Sequence, residues 1–235
     1  MGVPDATLAL QQHAAYCAAL ERNGCTVVVS PANESLPDST FVEDTALILP
    51  GHGAMITRPG AVSRRDEVQV IHQALHSFFL TFEEITAPAT LDAGDVCEAG
   101  DTVFVGLSQR TNLEGTRQLA EWLSAFGMRT RVIDIRHTPG ILHLKSGVVA
   151  LDADRLLAIE ALADHEEFAA YDVLRTPVGE EYAANCVRVN DVVFAPDGFP
   201  QTQVLLADAG YDLELLDMSE FQKADGGLSC LSLRF

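Results

Sequence analysis

An internal repeat constrains this chain more than any single residue does. A strand, a hairpin and a helix recur in that order at a spacing of about 45–50 residues, a period at which each unit must bury its apolar face against its neighbours. Residues 7–22 read as an amphipathic helix stopped by Asn23-Gly24, and the β-branched run Thr26 to Val29 follows as a short strand. A hairpin pattern then pairs Phe41 to Leu49 with Ala54 to Thr57 through Pro50-Gly51-His52-Gly53. The helix after it runs from about Arg64 to Phe79, with Ser63 as N-cap and Glu67 near the capping-box position.

The order then repeats. Strand 83–87, a hairpin turning through Glu98-Ala99-Gly100-Asp101 into Thr102 to Leu107, and helix 112–126 make one unit. Strand 130–135, the hairpin 141–149 with 154–159, and a helix near 160–170 make another. Strand 172–176, a hairpin turning at Asn190-Asp191, and helix 200–209 make a third, and strand 212–217 and the terminal run 228–235 complete the series. With the helix 7–22, the count is five units in a single α/β domain spanning 1–235, and such a period suggests an array or a propeller. Hairpins alternating with helices fit an open, doubly wound parallel sheet poorly. The first helix lacks a hairpin before it and the run 228–235 lacks a second arm, so a closed ring leads us to expect that arm upstream of Met1. Such an unpaired terminal strand is also an edge that invites a homodimer.

The same repeat sorts the reactive residues. Where each hairpin's first strand begins stand Glu43-Asp44 in FVEDT, Asp92 in LDAGD, His143 in LHLKS, Asn185 in ANCVRVN and Cys230 in GGLSC. Taken singly, each has a plain structural explanation. Free cysteines are commonly buried, a histidine between leucines is commonly a hydrogen-bonded strand residue, and Asp92 and Asp95 around Ala93-Gly94 suit a turn. Arg64-Arg65 and Arg110 would ordinarily be solvated ends. Glu43-Asp44 inside an apolar run is harder to dismiss, because buried carboxylates need a partner or a cation. On a closed five-unit ring these positions converge, bringing a thiol, an imidazole and carboxylates together as nucleophile, base and orienting group.

Composition narrows the partners. Against 15 basic residues stand 34 acidic ones, a formal charge of −19 that repels nucleic acid and suits a small cationic substrate. No run of 18 apolar residues and no leader-like N-terminal segment is present, so neither a membrane partner nor export is expected and the protein reads as cytosolic. The five cysteines show no C-x-x-C pair and His13, His52, His72, His76, His137 and His165 no ligand spacing, so we expect reduced thiols, no metal and no cofactor.

The strings LPDSTFVEDTALIL, MITRPGAVSRRDE, LDAGDVCEAGDTVFVGLSQRTN, LHLKSG, ANCVRVN and KADGGLSC together resemble the dimethylarginine dimethylaminohydrolases, members of the guanidino-modifying superfamily with the five-bladed pentein fold. The resemblance runs from about residue 5 to the end of the sequence. It implies hydrolysis of Nω-methylated arginine to citrulline and a methylamine without a cofactor, with Cys230 as nucleophile, His143 as general acid/base and Asp92 as its orienting carboxylate. Asp38, Glu43 and Asp44 would bind the guanidinium. Arg64, Arg110 and the backbone of Ala224 would hold the amino-acid end. The family's N-terminal strand and lid loop have no counterpart here. An arginine deiminase-like hydrolase of unmethylated arginine and a non-catalytic propeller are the alternatives, although the latter is expected to lack the cysteine and histidine that this chain retains.

Overall fold

The structure is a computed structural model that describes residues 2–235. In chain order its elements are α1 (Ala6–Arg22), β1 (Ala46–Leu49), β2 (Gly53–Ile56), α2 (Glu67–Leu75), β3 (Phe82–Glu84), β4 (Val96–Ala99), β5 (Thr102–Leu107), α3 (Leu113–Ser124) and β6 (Arg129–Asp134), followed by β7 (Val148–Ala150), β8 (Arg155–Ala158), α4 (Glu160–Ala163), β9 (Asp172–Arg175), β10 (Val187–Val189), β11 (Val192–Pro196), α5 (Pro200–Asp208), β12 (Asp212–Leu216) and α6 (Ser219–Gln222). The chain divides into two compact units, one made of residues 1–29 and 146–229, the other of residues 30–145 and 230–235.

Each unit contains two three-stranded sheets of one design: an antiparallel hairpin, then a helix that returns the chain to add a parallel strand. In the second unit the sheets are β1-β2-β3 and β4-β5-β6. The latter is the longest ladder, with Thr102 to Leu107 paired residue for residue to Arg129 to Asp134. Both faces of β5 are covered, so Thr102 to Val105 form a continuous buried run instead of an alternating one. Two apolar clusters form there, one on β4, β5 and α3 (Val96, Val103, Val105, Leu119, Leu123) and one on β1, β2 and α2 (Ala46, Ile48, Ile56, Ile71, Leu75). The first unit repeats the design in β7-β8-β9 and β10-β11-β12, with Leu157, Val193 and Leu206 at the centre of its core. Its helix α1 begins where Asp5 accepts hydrogen bonds from the Thr7 and Leu8 amides.

Several sequence expectations shift. A 3₁₀ turn precedes every hairpin, at Val42–Thr45, Ala93–Asp95, Leu144–Ser146 and Glu181–Ala184. The reactive positions therefore lie on turns or at their ends, and the expected strand 141–149 is reduced to 148–150. A fifth such turn, Ser229–Leu231, replaces the start of the expected terminal strand. Neither 228–235 nor Thr26 to Val29 forms a ladder among the described residues, and Val28 and Val29 are exposed. A strand needs a hydrogen-bonded neighbour, which β-branched composition alone does not provide. The terminal run nevertheless keeps a period-two alternation: Leu233 packs on the β1-β2-α2 cluster and Phe235 stacks on Phe78 and Phe79, while Arg234 between them reaches Glu43.

Helix α2 starts later than the sequence indicates, capped at Asp66 without a side-chain hydrogen bond, because Val62–Arg64 form a separate turn and Glu67 binds the Arg64 side chain. The expected helix 160–170 breaks at Asp164, where His165 accepts a hydrogen bond from the Glu167 amide and opens a new 3₁₀ turn.

Candidate active site

The core of the site is built entirely within residues 30–145 and 230–235. The turn before β4 places Asp92 at its N-terminal end, fully buried, where its Oδ1 accepts the Gly60 amide at 2.8 Å. His143, on the bend before the Leu144–Ser146 turn, brings Nε2 to 3.0 Å from Asp92 Oδ2 and 3.8 Å from Asp44 Oδ1. Asp44 comes from the turn before β1 and is fixed by the Gly94 amide at 3.0 Å. Gly94 is required there, since a Cβ at that position would stand 2.6 Å from Asp44 Oδ1 and 3.0 Å from the imidazole. One buried imidazole is thus held by two buried carboxylates.

The electrostatics follow from that packing. Burial works against a charge on His143, yet the charge of Asp44 and the hydrogen bond to Asp92, with Asp95 behind them, raise its pKa to about 9. Asp92 answers in the opposite direction: burial opposes its charge, but the His143 hydrogen bond and charge hold its carboxyl below the usual range. At neutral pH the pair is imidazolium and carboxylate. Asp44, Asp92 and His143 bring ligand atoms within 4.8 Å of one another, close enough for a metal ion. A metal ion there would have to displace the ring proton, since metal binding needs the neutral imidazole.

The remaining expected residues are distributed as follows. Arg64 is turned inward and buried, donating from Nη1 to Asp44 Oδ2 at 2.5 Å, from Nε and Nη2 to Glu67 at 3.0 and 2.8 Å, and from Nη2 to the Phe41 carbonyl at 2.9 Å. Glu43 is buried and accepts from Lys145 Nζ at 2.8 Å. Asp38 is exposed, with its carbonyl 3.4 Å from Arg64 Nη2. Arg110 is half-buried, its backbone against Gly60, and its Nη1 is a buried donor without a hydrogen-bond partner. A guanidinium nitrogen in that condition calls for an anion.

Cys230 is half-buried on the Ser229–Leu231 turn and belongs to the same compact unit as His143, Asp92 and Asp44. Ala224 belongs to the other unit, exposed at the end of α6, with its amide bonded to the Phe221 carbonyl at 2.9 Å. Within that unit the double glycine gains its reason. A Cβ on Gly227 would stand 2.4 Å from Asn185 Oδ1, and Asn185 exchanges two 3.0 Å hydrogen bonds with Ser229, the residue before Cys230.

Sequence reasoning passed over four contributors. Asp95 is fully buried, accepts from Ser108 Oγ at 2.6 Å and the Leu144 amide at 2.9 Å, and is pushed by burial to a pKa of about 6. Its place beside Gly94 suited a turn equally well. Glu67 looked like a capping-box residue, Lys145 was one letter of the LHLKS string, and Arg234 stood in a run read as apolar. The available signal was Glu43-Asp44 itself, two acids in an apolar run that had to find cations.

Comparison with known proteins adds an independent line. Residues 30–191 match the family model described as arginine deiminase. The chain is 41% identical over 236 residues to the N(G),N(G)-dimethylarginine dimethylaminohydrolase of Pseudomonas aeruginosa, covering 100% of this chain and 91% of that protein. A structure of that P. aeruginosa enzyme, solved as a cysteine-to-serine mutant with citrulline, matches with a TM-score of 0.95 at 41% identity, over 100% of this chain and 91% of the other. The N-terminal domain of a cyanobacterial arginine dihydrolase, ArgZ, gives a TM-score of 0.88 at 20% identity over 98% and 88% of the two chains, a likeness of fold alone. The repeated strand-hairpin-helix α/β fold expected from the sequence is the fold these proteins share.

Proposed function

The chain belongs to the dimethylarginine dimethylaminohydrolase family, and from that premise we propose that it hydrolyses Nω-methylated arginines to citrulline and a methylamine through a covalent adduct on Cys230. The observation that carries the reading is the buried imidazole of His143, with Nε2 3.0 Å from Asp92 and 3.8 Å from Asp44. A guanidinium is a planar cation and a poor electrophile. Negative charge at Asp44 attracts it, and its own positive charge beside Cys230 lowers the thiol's pKa, so that the substrate helps to form its attacker.

The thiolate adds to the guanidinium carbon and makes a C–S bond. His143, with Nε2 committed to Asp92, gives a proton to the substituted nitrogen, the C–N bond breaks and dimethylamine leaves. A thiouronium remains on Cys230 and the imidazole is neutral. It takes a proton from water as the oxygen adds to the same carbon, and cleavage of the C–S bond releases the ureido group of citrulline and restores Cys230. No redox partner or added electrophile enters this sequence.

Arg110 fits the substrate carboxylate through its unpartnered buried Nη1. Arg64 orients Asp44, and a role for it in holding the amino-acid end would require it to leave Glu67. The place of action is the cytosol, where thiols stay reduced; among the described residues no helix is long and apolar enough to cross a membrane.

The test is citrulline formation from asymmetric dimethylarginine, monomethylarginine and arginine. We expect turnover of the methylated substrates, and Cys230→Ala should fall below about 1% of wild type, within the range by which loss of a nucleophile slows an enzyme. Residual activity above that level with a native circular dichroism spectrum removes Cys230 from the nucleophile's role. Turnover of arginine alone assigns the other substrate class.

A further inference from the structure

We propose that Lys145 and Arg234, joined through Glu43, are positioning residues that hold the three segments bearing the reacting groups in one register. The proposal rests on the roles given above to Cys230, His143 and Asp44. Glu43 adjoins Asp44, Lys145 lies two residues beyond His143, and Arg234 lies four beyond Cys230. The Glu43 carboxylate, buried within the fold, receives Lys145 Nζ at 2.8 Å, and Arg234 Nη2 stands 3.6 Å from the same oxygen. Glu98, on the neighbouring strand β4, has its carboxyl raised first by burial, with Lys145 and Arg234 opposing and Glu43 adding to the shift. The cluster lies within residues 30–145 and 230–235.

Two considerations separate this cluster from ordinary ion pairing. A buried ion pair contributes little net stability compared with apolar residues of the same volume, because desolvation cancels most of the attraction, so stability alone gives weak reason for it. The run 228–235 also has no backbone ladder among the described residues, and side-chain contacts help to set its position. Leu233 and Phe235 anchor one face to the β1-β2-α2 cluster and to Phe78 and Phe79; on the alternate face Arg234 donates from Nη1 to Ser232 Oγ at 2.6 Å and brings Nη2 to 3.6 Å from Glu43. Apolar contacts tolerate sliding that a charged contact at fixed distance does not. Attack by sulfur on a planar carbon depends on placement to within about 1 Å, an error that costs up to about 100-fold in rate.

The experiment measures kcat and KM for asymmetric dimethylarginine in wild type, Lys145→Met, Lys145→Arg and Arg234→Gln. In parallel, the rate of iodoacetamide alkylation of Cys230 is followed by peptide mass spectrometry. Lys145→Met and Arg234→Gln are expected to lower kcat by about 10- to 100-fold with KM held within about threefold. The alkylation rate should shift by more than about threefold, and Lys145→Arg should recover most of the lost kcat. Variants with kcat near wild type, a raised KM at constant kcat, or a Lys145→Arg as impaired as Lys145→Met overturn the proposal. Should Lys145→Met fail to fold, Lys145→Arg and Arg234→Gln decide the matter. A wild type that makes no citrulline while Cys230 alkylation still responds to the substitutions defeats the functional reading and sustains the proposal; an unresponsive alkylation rate defeats the proposal itself.

Discussion

The proton on His143 belongs to a carboxylate pair, and its energetics can be read in two independent experiments. Burial disfavours the imidazolium, and Asp44, Asp92 and Asp95 overcome that and bring its pKa to about 9. The free enzyme should therefore lose activity as pH rises through about 9, a limb visible in kcat/KM. A bound guanidinium places a second cation beside Asp44 and lowers the imidazolium's pKa, so the basic limb in kcat should fall at lower pH than the limb in kcat/KM. Coincident limbs would mean that the substrate cation does not sit beside Asp44. Stability carries the same signature. The folded pKa lies above the unfolded value of 6.5, so the stabilisation is fully present below pH 6.5 and lost as pH rises through about 9. His143→Gln should flatten that decline in melting temperature. Sequence logic anticipated one part of this arrangement, that the acids Glu43 and Asp44 could be buried only beside cations. It did not anticipate that the chain also supplies cations of its own, Lys145 to Glu43 and Arg64 to Asp44.

The 3₁₀ turns before the hairpins and at Ser229–Leu231 explain why hairpins and helices were legible while the reacting groups' local geometry was not. Hydrophobic alternation marks a strand, but a turn of three or four residues leading into it leaves no period of its own. Each of these residues lies on such a turn or one residue before it, Asp44 within Val42–Thr45, Asp92 before Ala93–Asp95 and His143 before Leu144–Ser146, which is why the order of elements grouped them although their exact places differ. Two glycines allow neighbouring turns to approach. Gly60 lies against Arg110, where a Cβ would stand 2.3 Å from the Arg110 carbonyl, and Gly94 lies against Asp44 and the imidazole. Gly94→Ala tests the second contact. The methyl group must displace Asp44 or His143, and we expect kcat/KM to drop by about 100-fold, the cost of misplacing reacting groups by about 1 Å. The fold itself should survive, with an unchanged far-ultraviolet circular dichroism spectrum. Activity within a few-fold of wild type would show that the carboxylate and the imidazole need not be this close.

Four hairpin-helix-strand sets were legible because each rests on local pattern, and the terminal run was not because a ladder depends on a neighbour that composition cannot specify. Net charge is the one property of the entire chain that the sequence gives outright, and it leads to a test with two opposite outcomes on one axis. With 34 acidic and 15 basic residues the folded protein repels itself, and compaction is costlier at low ionic strength. The same field attracts a methylarginine, which carries a net charge of about +1 at neutral pH from its guanidinium, ammonium and carboxylate. Raising salt from about 0.02 to 0.5 M shortens the screening distance from roughly 20 to 4 Å. The melting temperature should rise as self-repulsion is screened, while kcat/KM for the methylated substrate should fall by about two- to fivefold through weakened attraction. The value of kcat, measured at saturation, should stay level, because the contacts at Asp44 and His143 are buried and screened far less. A rise of kcat/KM with salt would mean that the acidic surface opposes or ignores the substrate, and that its charge serves solubility alone.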